Sequence, residues 1–386
     1  MTDDGVEARN TVAARLVPAA LPFVISFAMV PAVLAGAFWG GWWLLGPMLY
    51  GGATIALIDA LIGREVENPD TACAEAALFW HRAVTWAWLP MQATIVGASL
   101  WAVGQGWHDP LTGAAILASC GFACGGIGIT YAHELVHQKA RFERVMAEML
   151  LISVGYGHFR TEHILGHHRT VATPADPVSA RKGEGFWSFL PRAVLGSLAS
   201  AWRIEADRLA RRGRPVWDRR NPFWRYGLGF ASVLAVAGLI GGWQGALFYP
   251  LLCMVAILQL EAINYIEHYG LTRRHLGEGR FERPRPHHSW NAAQRVSNWL
   301  LINLQRHSDH HVRPDRRYPL LQHHGHTDAP QLPYGYPVMF FLALVPPLWH
   351  RMMDWRVDRW RHRFYPDILD WRAYDDGRIG TAATTA

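Results

Sequence analysis

Residues 111–139 read Leu-Thr-Gly-Ala-Ala-Ile-Leu-Ala-Ser-Cys-Gly-Phe-Ala-Cys-Gly-Gly-Ile-Gly-Ile-Thr-Tyr-Ala-His-Glu-Leu-Val-His-Gln-Lys. A bilayer span needs about 20 predominantly apolar residues, and this stretch supplies them before its first charge. It is rich in small residues, Gly121, Ala123, Gly125, Gly126 and Gly128, which let helices approach closely. Without a break it then runs into His133-Glu134-Leu135-Val136-His137. The reading is a membrane helix that carries imidazoles out at one end.

Working outward, the rest of the chain repeats the pattern. Of 386 residues, 51% are hydrophobic and 18% charged, with 19 Trp, too apolar for an ordinary soluble enzyme. No Lys or Arg occurs in 16–63, 83–138 or 226–272. Each gap is long enough for two spans and a tight turn, which predicts spans at 16–38, 42–62, 83–103, 111–132, 226–241 and 246–266. The net charge of +6 is no nucleic-acid signal, because the basic residues cluster between and after the hairpins. That is the positive-inside pattern, and it puts both termini and the segments 133–225 and 267–386 in the cytoplasm. The expected fold is an all-α integral membrane protein of one domain, 1–386, with six transmembrane helices in three hairpins and a cytoplasmic histidine-rich helical cap. The expected location is a bacterial-type inner membrane.

Smaller features fit this frame. Asp59 lies near the inner end of span two and reads as hydrated at the interface. Tyr336 to Trp349 is too short and proline-broken to span, so it reads as an interfacial or core helix. Met1 to Arg15 is polar and weakly charged, and the apolar run after it reads as a retained first span. Cys73, Cys120, Cys124 and Cys253 lack Cys-x-x-Cys spacing, which argues against a disulfide framework and against a thiolate-iron carrier within the chain.

The chemistry lies in the histidines. His133 and His137 are four apart on a helix and share a face. His163 and His167 repeat that spacing with His168 adjacent, His268 follows span six, and His307, His310 and His311 fall in five positions. A lone i,i+4 pair is as compatible with packing as with ligation. Four clusters at one membrane boundary point instead to metal, and nine imidazoles exceed a structural zinc site of four ligands. Two ions with imidazole-dominated shells fit, with iron the one suited to binding and activating oxygen. His133-Glu134-Leu135-Val136-His137 also matches the H-E-x-x-H protease pattern, but a protease leaves most of the other histidines unexplained. Glu134, Glu162, Glu267 and Asp309 stand beside ligands, where carboxylates accept the second ring N–H; direct ligation and plain surface charge remain open for each.

The blocks His133-Glu-Leu-Val-His137-Gln-Lys, Glu162-His-Ile-Leu-Gly-His-His168-Arg, Asn264-Tyr-Ile-Glu-His268-Tyr-Gly-Leu and Leu304-Gln-Arg-His-Ser-Asp-His-His311 resemble those of the AlkB-type alkane monooxygenases, integral-membrane non-haem diiron enzymes. The similarity continues through Val171–Pro177, His288-Ser-Trp-Asn291 and Pro346-Pro-Leu-Trp349. Gln138 is a small departure. The resemblance implies metal ligation by His133, His137, His163, His167, His168, His268, His307, His310 and His311. It also implies two iron ions and terminal hydroxylation of medium-chain n-alkanes with O2 and electrons from separate rubredoxin and rubredoxin reductase. The alkane is expected to enter from the bilayer through a channel among the spans, with Trp43 and Tyr50 as candidate lining residues. Arg169, Arg306 and Arg313 are candidates for docking an acidic electron carrier. A xylene or alkyl-aromatic side-chain monooxygenase and a fatty-acid desaturase or hydroxylase are the competing relatives. From another class, a metal-handling transporter or sensor with intramembrane histidines would bind metal without consuming O2.

Overall fold

The computed structural model describes residues 19–380, so the Met1–Arg15 segment and the first residues expected of span one lie outside it. Among the described residues the chain is helical and has no strand, only three isolated bridges. Four helices are long and apolar enough to cross a membrane: α1 (Leu21–Trp39), α2 (Gly41–Ile62), α4 (Pro110–Val136) and α8 (Phe223–His268). Between α2 and α4 runs α3 (Phe79–Gly104), 26 residues long, whose Trp86, Trp88, Gln92 and Ser99 dilute its aliphatic content. After α4 come α5 (Arg141–Ser153), the short helix α6 (159–170) and α7 (Phe186–Ala210). Beyond α8 lie α9 (Arg295–Leu300), α10 (His307–Val312), α11 (Tyr336–Ala343) and α12 (Pro346–Phe364). The apolar 336–349 stretch is thus split between α11 and α12.

Glycines make the hairpins. Gly40, between α1 and α2, has φ 61° and ψ −153°. Gly242 inside α8 has φ 60° and ψ −155°, a conformation disfavoured for side chains with a Cβ. It divides the 46-residue α8 into two helical halves. The turns gather at one end of the bundle: a Cβ on Gly104 would lie 2.3 Å from Ile240 O, and one on Gly40 would lie 3.3 Å from the His108 ring.

The small residues of α4 let its partner in. A Cβ on Gly121 would meet Leu252 O at 2.4 Å, and one on Gly125 would meet Ala256 Cα at 2.7 Å, so α4 and the second half of α8 pack nearly backbone to backbone. Both helices end at the same level, α4 on His133 and His137, α8 on His268.

Two sequence expectations change here. Asp59 is buried, not hydrated: its carboxylate accepts from the backbone N–H of Val296 at 2.7 Å and Ser297 at 3.1 Å. It caps α9 from a distant segment, which offsets the orphan donors of a helix N-terminus. Arg306 is 4% exposed and donates to Leu321 O and Glu67 O; it ties loops together and presents nothing to an electron carrier. Arg169 and Arg313 are exposed.

Candidate metal centre

Four elements bring the nine histidines together. The end of α4 carries His133 and His137, α6 carries His163, His167 and His168, α8 ends on His268, and α10 carries His307, His310 and His311. One group comprises His133, His137, His163 and His310; another comprises His167, His268, His307 and His311; the ligand-type atoms of each group lie within 4.8 Å of one another. His168 stands at the border, its Nε2 3.1 Å from Nε2 of both His163 and His310 and its ring 4.7 Å from that of His311.

The sequence reading put His163 and His167 on one face, and the structure separates them between the two groups. Residues 163–167 form a π-turn. Its i→i+5 period brings position 168 under 163, where the Nε2 atoms are 3.1 Å apart, and turns His167 toward His268 and His311, each at 4.9 Å between ring centroids. A second π-turn, Cys124–Ile129, precedes His133 in α4.

The donor set fits metal ions. Nε2 atoms face each other at 2.9 Å for His137 and His163 and for His307 and His311, and at 3.2 Å for His268 and His307. Nε2 of His133 and of His167 is buried with no hydrogen-bond partner, a situation that costs about 1–3 kcal/mol per group and that a bound cation relieves. Burial, followed by the neighbouring imidazoles, holds His163, His168, His307, His310 and His311 well below the usual histidine range. Burial, then His167, pushes His137 down to about 3. These rings stay neutral, the form that binds metal.

The acids are placed variously. Glu267 lies beside the centre: its Oε2 is 3.2 Å from His307 Nε2, the nitrogen that faces His268 and His311, while its Oε1 accepts from Tyr336 Oη at 2.9 Å. Glu134 accepts from Gln138 Nε2 at 2.9 Å and from the Tyr318 N–H at 3.4 Å, so the Gln138 departure serves to hold that carboxylate. Glu162 is buried with Oε1 unpartnered. Asp309 turns away to Arg316, at 2.7 and 2.6 Å, and to the Gln322 N–H. The carboxylate on an outer ring nitrogen is one the sequence reading missed. Asp176 Oδ2 faces His167 Nδ1 at 3.0 Å, both buried; burial works to raise the Asp176 carboxyl, but the His167 ring and the Ser179 hydroxyl outweigh it and hold the group below the usual carboxylate range. Thr173-Pro-Ala-Asp-Pro177 reads as turn chemistry, and the aspartate between its prolines was the available signal.

A narrow apolar cavity opens onto this centre. His133, His163, His307 and Glu267 line one end; Met29, Gly51, Gly52, Phe122 and Phe340 line it toward the membrane-spanning helices. Phe122 and Phe340 meet edge to face at 6.2 Å. Trp43 does not line it and is 55% exposed; Tyr50, next to Gly51, instead donates to Ile25 O at 2.6 Å.

Buried imidazole groups at the ends of membrane-type helices, facing an apolar cavity, define a membrane oxidoreductase of the histidine-cluster class. In keeping with this, the fatty acid desaturase family profile matches residues 105–343. Alkane 1-monooxygenase 2 of Pseudomonas aeruginosa is 40% identical over 82% of this chain and 84% of its own length. The alkane 1-monooxygenase of Ectopseudomonas oleovorans is 37% identical over 88% and 82%. The hydroxylase component of the xylene/toluene monooxygenase of Pseudomonas putida is 27% identical over 86% and 89%. The chain belongs to the AlkB-type alkane 1-monooxygenase family, and it is a monooxygenase.

Proposed function

We propose that this chain hydroxylates the terminal carbon of medium-chain n-alkanes to 1-alkanols at two iron ions held by His133, His137, His163, His167, His168, His268, His307, His310 and His311. The observation that carries the reading is the apolar cavity ending on His133, His163 and His307: a hydrocarbon has no group to recognise except its shape, and only its terminus can reach the imidazoles. When bound, iron supplies O2 binding and activation. One oxygen atom enters a C–H bond as alcohol, and the other leaves as water with two protons and two electrons.

The chain's own residues bind and orient. Phe122, Phe340 and Met29 exclude water from the alkane, Asp176 orients His167 through its outer ring nitrogen, and Glu267, beside His307 Nε2, offers a carboxylate at the centre itself. Six spans, with α3 as the third and α8 counted as two, would leave 133–225 and 267–386 as a cytoplasmic cap within one domain in an inner membrane. The basic loops support that orientation. The electrons are proposed to come from rubredoxin and its reductase, docking near exposed Arg169 and Arg313.

The test is product analysis by gas chromatography of membranes containing the chain, with rubredoxin, its reductase, NADH, O2 and n-octane, and iron measured on the same preparation. Iron- and electron-dependent 1-octanol supports the reading; zinc in place of iron, or no alcohol, overturns it. Alkyl-aromatic side-chain hydroxylation is the second reading, favoured by the 27% likeness to the xylene/toluene enzyme component. Xylene in the same assay separates the two. His310→Ala is expected to abolish the product while the chain still inserts in the membrane.

A further inference from the structure

A third cluster of ligand-type side chains, Glu282, His287 and His288, lies outside the nine-histidine centre. Its hydrogen bonding argues against a metal. The Arg285 backbone N–H donates to His288 Nδ1 at 2.9 Å, so the hydrogen of the neutral ring sits on Nε2, which then has no lone pair to offer a cation. That Nε2 donates to Tyr365 Oη at 2.7 Å. His287 Nε2 meets the same oxygen at 3.1 Å, and the hydroxyl donates to Glu282. A phenol has one hydrogen and two lone pairs, so three partners satisfy it completely. The cluster is a hub built on Tyr365, just past the end of α12.

The hub fixes one turn, 286–291, which Trp360 also grips through its Nε1 at 2.7 Å from His287 O. On one side of that turn, Trp290 N–H donates to Glu267 O at 2.8 Å and Trp290 Nε1 to Tyr269 O at 2.9 Å. The carbonyls before and after His268 are therefore both held, and His268 Nδ1 faces His288 O at 3.5 Å. On the other side, the Ser308 N–H donates to Asn291 Oδ1 at 2.9 Å, and Ser308 Oγ donates to Pro286 O. Ser308 directly follows His307. One turn thus grips both chain segments that bring His268 and His307 to the centre.

We propose that Tyr365 is a positioning residue of the metal centre: its hydroxyl, acting through His287, His288 and the 286–291 turn, sets the orientation of His268 and His307. The proposal rests on the reading of those two histidines as metal ligands. Supporting groups of this kind cost about 10–100-fold in metal affinity or activity when removed.

The experiment compares wild type, Tyr365→Phe, His288→Ala and His288→Gln as full chains in membranes, loaded with iron and supplied with reductant and n-octane. The Phe ring keeps the packing of Tyr365 against Trp360, at 5.2 Å between centroids. Tyr365→Phe is expected to lower kcat about 10–100-fold with KM unchanged, and to release about half of the iron to a chelator faster than wild type does. His288→Ala is expected to behave alike, and His288→Gln, which keeps an N–H donor, to recover most of the kcat. Wild-type kcat and iron retention in Tyr365→Phe overturns the proposal, as does a lowered melting temperature with kcat intact. A third equivalent of metal that His288→Ala removes would overturn the tautomer argument. His268→Ala with wild-type iron and activity would instead remove the ligand reading itself, whatever Tyr365→Phe does.

Discussion

His167 Nδ1 and Asp176 Oδ2 face each other at 3.0 Å, both side chains almost wholly buried. The contact fixes the tautomer of His167 and leaves its Nε2 free to face the other imidazoles. Asp176→Asn removes the charge and lets the side chain present an N–H in place of an acceptor. We expect metal affinity or turnover to fall about 10–100-fold, measured by iron retention against a chelator and by 1-octanol formation. Unchanged values would mean that the pair serves packing alone.

The edge-to-face contact of Phe122 and Phe340 walls the cavity away from the imidazoles. Phe340→Ala is expected to shift preference toward longer alkanes. Each methylene newly accommodated is worth about 0.8 kcal/mol, or about fourfold in kcat/KM. Competition between n-octane and n-dodecane, read by gas chromatography, checks it; an unchanged product ratio removes Phe340 from the wall.

The metal-free chain should lose stability in acid. Burial pushes His158 down to about 4, and burial followed by His288 pushes His287 down to about 3. Below the ordinary value of 6.5 the unfolded chain binds protons that the folded chain refuses. Stability therefore rises with pH through the window from the folded values to 6.5 and levels off above it. The measurement is the melting temperature of metal-free protein in detergent between pH 4.5 and 8. His158→Gln should flatten part of the slope, and a flat wild-type curve would contradict the assignment.

Asp59→Ala deletes the acceptor for the Val296 and Ser297 N–H groups. Loss of a helix cap costs about 0.5–2 kcal/mol, so the melting temperature should fall with the metal content kept. Loss of metal at full thermal stability would give Asp59 a different role.

Much of this was legible in the sequence because imidazoles are conspicuous in an apolar chain. The ends of α4 and α8 follow directly from where hydrophobic runs stop at His133 and His268. What escaped was relational. The pairing of His163 with His168, not His167, depends on a π-turn, and a four-residue spacing says nothing of whether the helix has 3.6 residues per turn or more. The one sign of Asp176, an aspartate between two prolines, was ambiguous because a turn aspartate and a ligand-orienting aspartate look alike until the fold brings His167 to it. Asp59 read as interface charge and Arg306 as a docking residue because their partners, Val296 and Leu321, lie in segments that only the fold makes neighbours.

The π-turn at 163–167 sends His163 to one group and His167 to the other, with His168 at the border. Inserting or deleting one residue there would rotate all three side chains and spoil both halves together. A change of length in this segment therefore cannot degrade one group and spare the other, whereas a substitution of His163 or His167 alone touches one group.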